Sequence, residues 1–269
     1  MQNEEIKTIQ KNYILGAIIG DVIGSVYEWN NVRTTEFPLF RATTDFTDDS
    51  VLTFASMDCI LNDLQYTDAY QTYSRNFPRR GYGGRFSGWI HEDHPEPYNS
   101  WGNGSAMRVS PVGWAYDSLD EVLIQAKRSA EVTHNHPEGI KGAQATAAAI
   151  FLARTGKSKA EIKEYIELTF SYELDRTIDE IRPTFRFDES CQGTVPQSIT
   201  AFLESTDFES AIRLAISLGG DSDTIACITG GIAEAFYQEI PEEIIINTLK
   251  VIPVEIIQLI EDFSTRFRN

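Results

Sequence analysis

Three glycines spaced four residues apart, Gly16, Gly20 and Gly24, run through residues 6–28 with Ile14, Ile18 and Val22 beside them. A glycine inside a helix costs roughly 1 kcal/mol relative to alanine, so three in register predict a helix whose backbone packs directly on a neighbour. Glu28 continues the four-residue register. Asp21 precedes it by close to two turns, which puts the two acids on roughly one face. Taken alone, Asp21 reads as a buried structural hydrogen-bond acceptor and Glu28 as a surface residue at a helix end.

Helical signals dominate the rest of the chain. Ser118-x-x-Glu121, Ser158-x-x-Glu161 and Thr206-x-x-Glu209 have the form of capping boxes, each before a periodic apolar segment. The third segment, Phe208 to Leu218, stops at Gly219, a natural helix end. Further helices are predicted over 50–63, 67–77, 119–133, 138–154, 159–169, 197–204, 223–237, 241–249 and 253–265. No run alternates apolar and polar residues over strand length. Residues 79–117, rich in Gly, Pro, Asn and Trp, are expected to form a long ordered loop region with one short helix, and loops of that length are usually functional. With no linker, repeat or low-complexity tract, the expectation is one all-α domain over 1–269.

Composition narrows the function classes. The chain has 269 residues, 42% hydrophobic and 23% charged, values ordinary for a globular protein with a substantial core. No apolar stretch approaches the ~20 residues of a membrane span, and the acidic, polar N-terminus does not read as a secretory signal. Cys59, Cys191 and Cys227 lie far apart, which suits a reducing cytoplasm and argues against a disulfide framework. A formal net charge of −17 disfavours general nucleic-acid binding. A local basic pocket for a small anion remains open, with Arg79, Arg80, Arg85 and Arg108 as candidates, each otherwise a solvated surface arginine. The pairs His91/His94 and His134/His136 have no cysteine near them and sit beside Pro95 and Pro137 in turns, so zinc is not expected.

Two acidic clusters carry the chemistry. Thr47-Asp48-Asp49-Ser50 and Gly219-Gly220-Asp221-Ser222-Asp223-Thr224 each stand before an apolar helical run. Helix capping explains one such residue per helix, or two in a capping box. Four carboxylates in two near-repeating clusters exceed that need. Hard oxygen ligands at this density suit Mg²⁺ or Mn²⁺, and the two clusters brought together would hold a pair of ions. Thr155-Gly156-Lys157-Ser158 imitates the end of a P-loop but has Phe151 at the required upstream glycine. Gly81-Tyr82-Gly83-Gly84 and Gly102-Asn103-Gly104 lack the third glycine of a dinucleotide fingerprint, where Phe86 and Met107 stand. In the segment Asn99 to Arg108, small residues would let backbone N–H groups approach an anion. Trp101 offers either a flat face for a base or a core side chain, and His134 either a ligand contact or a helix-terminal imidazole satisfied by backbone.

The combination resembles the ADP-ribosylglycohydrolase family, the group of the dinitrogenase-reductase-activating glycohydrolase and the ADP-ribosyl-acceptor hydrolases. The run Gly16 to Glu28 looks like its opening helix. Phe46-Thr47-Asp48-Asp49-Ser50 and Gly219 to Ala226 are similar to its two metal motifs. Trp101 to Arg108 and Thr133-His134 fall in the expected order, so the resemblance spans residues 13 to about 237. It implies a single compact orthogonal helical domain with a binuclear Mg²⁺ or Mn²⁺ cleft, acting as a monomer. By motif position, Thr47, Asp48, Asp49, Asp221, Asp223 and Thr224 become metal ligands. Glu28 becomes the mobile acid used in catalysis and gating, with Asp49 and Asp223 beside it as catalytic carboxylates. Ser100, Trp101, Gly102, Asn103 and Gly104 would line an ADP-ribose pocket, Trp101 in an adenine-stacking position, and His134 would contact the diphosphate or adjacent ribose. Ser50 stands where many relatives have threonine, which keeps the hydroxyl. The implied reaction cleaves a glycosidic bond through an oxocarbenium-like state, with the ions fixing the ribose and supplying an activated water. The expected substrate is an ADP-ribosylated protein, with arginine the first acceptor and serine the next. Poly(ADP-ribose) and acetylated ADP-ribose are further options. The alternatives are a non-catalytic ADP-ribose-binding relative and a metal phosphohydrolase of ADP-ribose-like nucleotides.

Overall fold

The structure, a computed structural model, describes residues 13–268. Its first element, α1 (Gly16–Gly24), is buried along its whole length. The part of the 6–28 expectation that falls on residues 6–12 lies outside the described residues. α1 packs along α13 (Ser222–Tyr237), and the glycine stripe makes this contact possible. A methyl group at Gly16 would lie 2.3 Å from the Gly230 carbonyl oxygen, one at Gly20 2.0 Å from that of Ala226, and one at Gly24 2.4 Å from the Asp223 Cα. The expected backbone-to-backbone contact is therefore present. Glu234, fully buried on α13, accepts from the Leu15 and Gly16 amides and pairs with Arg268, so it caps α1 where a carboxylate meets the positive end of a helix.

The expected helix does not continue to Glu28. α1 ends at Gly24, and the chain turns through Ser25–Tyr27, with Ser25 Oγ donating to the Val22 carbonyl and the Tyr27 amide to that of Gly24. The serine hydroxyl competes for the helix's own carbonyl, and the chain leaves the helical path there.

Around the α1/α13 pair stand α2 (Asp48–Asn62), α8 (Pro137–Arg154), α11 (Cys191–Glu204) and α12 (Phe208–Ser217). α8 is alanine-rich and buried over most of its surface, as a helix apolar all round must be. α7 (Leu119–Glu131), α9 (Lys159–Phe170), α3 (Tyr66–Asn76), α14 (Glu242–Leu249) and α15 (Val254–Phe267) form the outer shell. These boundaries match the predicted helices to within a few residues. The exception is α11, which begins at Cys191 rather than 197 and carries Pro196 inside it. Its true start is the Ser190 cap, which accepts from the Gly193 amide at 3.1 Å. The third capping box is displaced by one residue: Asp207, not Thr206, is the cap, accepting from the Ser210 amide at 2.7 Å, while Ser210 Oγ accepts from the Asp207 amide.

The 79–117 region holds three short helices rather than one: α4 (Gly84–Trp89), α5 (Gly104–Met107) and α6 (Ser110–Ala115). Each is too short to show a 3.6-residue pattern, and burial of Phe86, Trp89 and Trp114 holds them in place. A further turn, α10 (Ile178–Ile181), carries an unforeseen capping box between Thr177 and Glu180. Among the described residues there is no strand, only an isolated bridge between Gly102 and Ser190. None of these helices is long and apolar enough to cross a membrane, and the three cysteines are free and buried.

Candidate active site

The site is assembled on α1. The Asp21 carboxylate, fully buried, accepts from the Thr47 amide at 2.9 Å, Thr47 Oγ1 at 2.6 Å, the Ser50 amide at 3.0 Å and the Ser50 hydroxyl. Four donors nearly exhaust what a carboxylate can accept. This fixes the first turn of α2, where Thr47 is the N-cap and Asp48 and Asp49 lie at the positive end of the helix. The Asp48 amide donates to the Arg80 carbonyl at 2.8 Å. The structural reading of Asp21 is the one observed, and its consequence is the placement of the first acidic cluster.

The second cluster opens α13. Gly219 and Gly220 have φ of 66° and 73°, a region that side chains other than glycine rarely enter, and their turn aims Asp221 at α2. Because Gly24 has no side chain, the backbone at Asp223 comes within contact of α1. The two clusters meet: Thr224 Oγ1 donates to Asp49 Oδ1 at 3.3 Å. Asn103 Nδ2 donates to Asp221 Oδ2 at 2.6 Å and to Thr194 Oγ1 at 3.0 Å.

Glu28 joins them from the turn after α1. One carboxylate oxygen each of Glu28, Asp221 and Asp223 lies within 4.8 Å of the other two. The sequence placed Glu28 outside both metal motifs, whereas the fold puts it in ligand range of the second. Asn31 brings it there: its Nδ2 donates to the Tyr27, Glu28 and Gly220 carbonyls, and its Oδ1 accepts from the Gly220 amide at 2.7 Å. The partners Asn31 and Gly220 are 189 residues apart, and nothing in the sequence pairs them.

Electrostatics mark the same spot. Burial pushes Asp48 and Asp49 well above the usual carboxylate range, with the charges of Asp21, Asp221 and Glu28 adding to it at Asp48 and those of Asp21, Asp48 and Asp221 at Asp49. Burial and the charges of Asp221 and Asp49 do the same for Asp223. Asp221 is raised by burial against its own hydrogen bonds. Glu28 is raised to about 7, first by burial and then by the charge of Asp221. Among the described residues, Asp49 Oδ2 is buried with no hydrogen-bond partner. Arg80, whose carbonyl accepts from the Asp48 amide, has its side chain paired with Asp45 at 2.6 Å. Crowded hard oxygens, one of them orphaned, fit a divalent cation.

These residues form the floor of a cleft of about 550 Å³. Ser100, Gly102, Asn103, Gly104 and His134 line its wall, and so do all four candidate arginines, Arg79, Arg80, Arg85 and Arg108. Arg108 is not a surface residue: it is fully buried beneath the wall. The loop's backbone is less open to an anion than its small residues suggested. The Ser100 amide donates to the Thr133 carbonyl, that of Gly102 to Ser100 Oγ, and that of Asn103 to the Glu189 carbonyl. What Gly102 and Gly104 provide is room over His134, since a methyl at either would come within 3.5 Å of its Nε2. Trp101 is 51% exposed and lies off the cleft lining, its ring 5.4 Å from that of His136. The core alternative for Trp101 is thereby excluded. Glu189, also raised by burial, completes the rim and had carried no signal in the sequence.

The family model described as ADP-ribosylglycohydrolase matches residues 9–269. The chain belongs to the ADP-ribosylglycohydrolase family. Within the family it is similar to the ADP-ribosylhydrolase ARH3 of Mus musculus, with 26% identity over 85% of this chain and 84% of that protein. The human ARH3 is 27% identical over 85% and 86%. The ADP-ribosylarginine hydrolase Tri1 of Pseudomonas putida is 24% identical over 84% of this chain and 70% of its own. A solved structure titled as an ADP-ribosylglycohydrolase-related protein complex superposes with a TM-score of 0.73 at 21% identity, covering 98% of this chain and 99% of the other, which establishes the shared fold. As a member of the ADP-ribosylglycohydrolase family the chain is an enzyme, a glycosidase-type hydrolase.

Proposed function

We propose that this protein is a divalent-metal-dependent (ADP-ribosyl)hydrolase that cleaves ADP-ribose from a modified protein side chain, arginine first and serine next. The observation that carries this reading is the convergence of Glu28, Asp221 and Asp223 within 4.8 Å on the floor of a cleft walled by the Ser100–Gly104 loop and His134. The name of the P. putida relative supports arginine as the first acceptor to test. Three buried free thiols suit work in a reducing cytoplasm.

Thr47, Asp48, Asp49, Asp221, Asp223 and Thr224 would hold two Mg²⁺ or Mn²⁺ ions, with Glu28 beside them. When bound, the ions neutralise the clustered charge and supply Lewis acidity toward ribose hydroxyls and water. The chain's own residues do the rest. Asn103 orients Asp221, and Thr224 orients Asp49. Glu28 is suited to orient the attacking water and to accept its proton, with Asp49 and Asp223 flanking it. The nucleotide end would run along the Ser100–Gly104 wall past His134, and stacking on the adenine would need it to extend beyond the cleft lining to the exposed Trp101.

The test is product analysis with arginine-, serine- and poly-linked ADP-ribose, with and without Mg²⁺. Free ADP-ribose, released only when Mg²⁺ is present, is the expected result. AMP plus ribose phosphate would replace this reading with phosphohydrolysis, and binding without any product would replace it with a non-catalytic role.

A further inference from the structure

Behind the cleft wall a buried guanidinium, a hydroxyl and an imidazole stand in a chain. Arg108 is fully buried, with its guanidinium 4.2 Å over the Tyr70 ring, and among the described residues it has no carboxylate partner. Its Nη2 donates to the Ser129 carbonyl at 3.0 Å and to Thr133 Oγ1 at 2.8 Å. Thr133 Oγ1 in turn lies 2.7 Å from His134 Nδ1, and Thr133 is fully buried as well. The opposite ring edge, Nε2, faces the space left by Gly102 and Gly104 in the cleft wall.

The direction of these bonds follows from the inventory of donors and acceptors. A guanidinium carries donors and no acceptor, so Thr133 Oγ1 must accept from Arg108. The threonine has one proton, and His134 Nδ1 is the acceptor placed to receive it. Were Nδ1 to carry a proton instead, the hydroxyl would accept twice and its own proton would be buried without a partner, which folded proteins avoid. We propose that Arg108 and Thr133 are positioning residues that hold His134 as its Nε2–H tautomer, so that the ring presents a hydrogen-bond donor to an oxygen of the ADP-ribose diphosphate or ribose. This rests on the proposed function only for the identity of the oxygen.

Two features reinforce the arrangement. Burial, with the Arg108 charge adding to it, pushes the His134 pKa well below its ordinary value, so the ring is neutral and its tautomer decides whether it can donate. A hydroxyl that accepts from a cation is also a stronger donor, which tightens the contact to Nδ1. The other ring facing His134, Tyr98, lies 6.2 Å away with the Arg85 guanidinium over it.

The tautomer can be read in ligand-free protein labelled with ¹⁵N-histidine, from long-range proton–nitrogen correlations. The wild type should show Nε2 protonated and Nδ1 bare. Thr133→Val leaves Nδ1 without its hydroxyl donor and should move the Nδ1 resonance away from its hydrogen-bonded position, with the tautomer ratio drifting toward that of a free imidazole. The same variant should raise the ADP-ribose Kd and the KM about tenfold while kcat stays within about twofold, the scale of one misdirected hydrogen bond. Thr133→Ser should restore both. A wild-type ring protonated at Nδ1, or a Thr133→Val protein whose Nδ1 resonance and tautomer ratio both match the wild type, overturns the proposal. If Thr133→Val does not fold, the wild-type and Thr133→Ser spectra decide by the same criterion. If the wild type has the Nε2–H ring but binds no ADP-ribose, the relay stands and the functional reading falls.

Discussion

Glu28 shows how a side chain with little local distinction in the sequence gains a chemical role from its surroundings. Its register after Gly16, Gly20 and Gly24 was legible, but the turn at Ser25–Tyr27 was not, and neither was the Asn31 clamp that carries Glu28 to Asp221. Glu28→Gln keeps the shape and removes the charge. It is expected to bind Mg²⁺ and ADP-ribose close to normally while losing about 10²–10⁴-fold in turnover, the range for a general acid–base or orienting group. Calorimetry and initial rates on one preparation check this, and near-native turnover would strike Glu28 from the chemistry. Arg108 makes the complementary point. An arginine among small residues reads as a surface cation, and only the fold reveals that Tyr70, Ser129 and Thr133 enclose it. Metal-motif carboxylates are visible because several crowd into five residues, whereas a positioning residue is defined by partners distant in the chain.

Between elements, the α1/α13 contact carries the most. The cost of three helical glycines predicted a close neighbour but could not say which helix supplies it, because that partner lies some 200 residues along the chain. The identity of the neighbour matters for function: the same contact that buries the stripe sets Asp21 under α2 and Asp223 beside Gly24. A methyl at Gly20 would meet the rigid Ala226 backbone at 2.0 Å, so Gly20→Ala should lower stability by about 1–3 kcal/mol despite alanine's better helix propensity. Gly88, on α4, has nothing within 4 Å of an added Cβ. There the same substitution should raise stability, by up to about 1 kcal/mol. Chemical denaturation of both variants checks the pair, and equal shifts of one sign would contradict the packing account. Long periodic helices such as α8 were read almost to the residue. The short ones in 79–117 were missed because tertiary burial of Phe86, Trp89 and Trp114, rather than any local pattern, makes them helical.

At the scale of the whole molecule, a chain with net charge −17 gathers Glu28, Asp48, Asp49, Asp221 and Asp223 at the floor of one cleft and sets four arginines around it. The separation of the two acidic motifs in sequence is erased by a single helix pair and joined by the Thr224–Asp49 hydrogen bond. The account stands on Asp48, Asp49, Asp221 and Asp223 forming one divalent-cation site with Glu28 beside it, and a calorimetric titration of Mg²⁺ into metal-free protein tests it most directly. Saturable binding is expected in the wild type. In Asp223→Ala it should be weakened at least tenfold, about 1.4 kcal/mol, with the fold intact by circular dichroism. No binding to the wild type, or wild-type stoichiometry and affinity in Asp223→Ala, would contradict it.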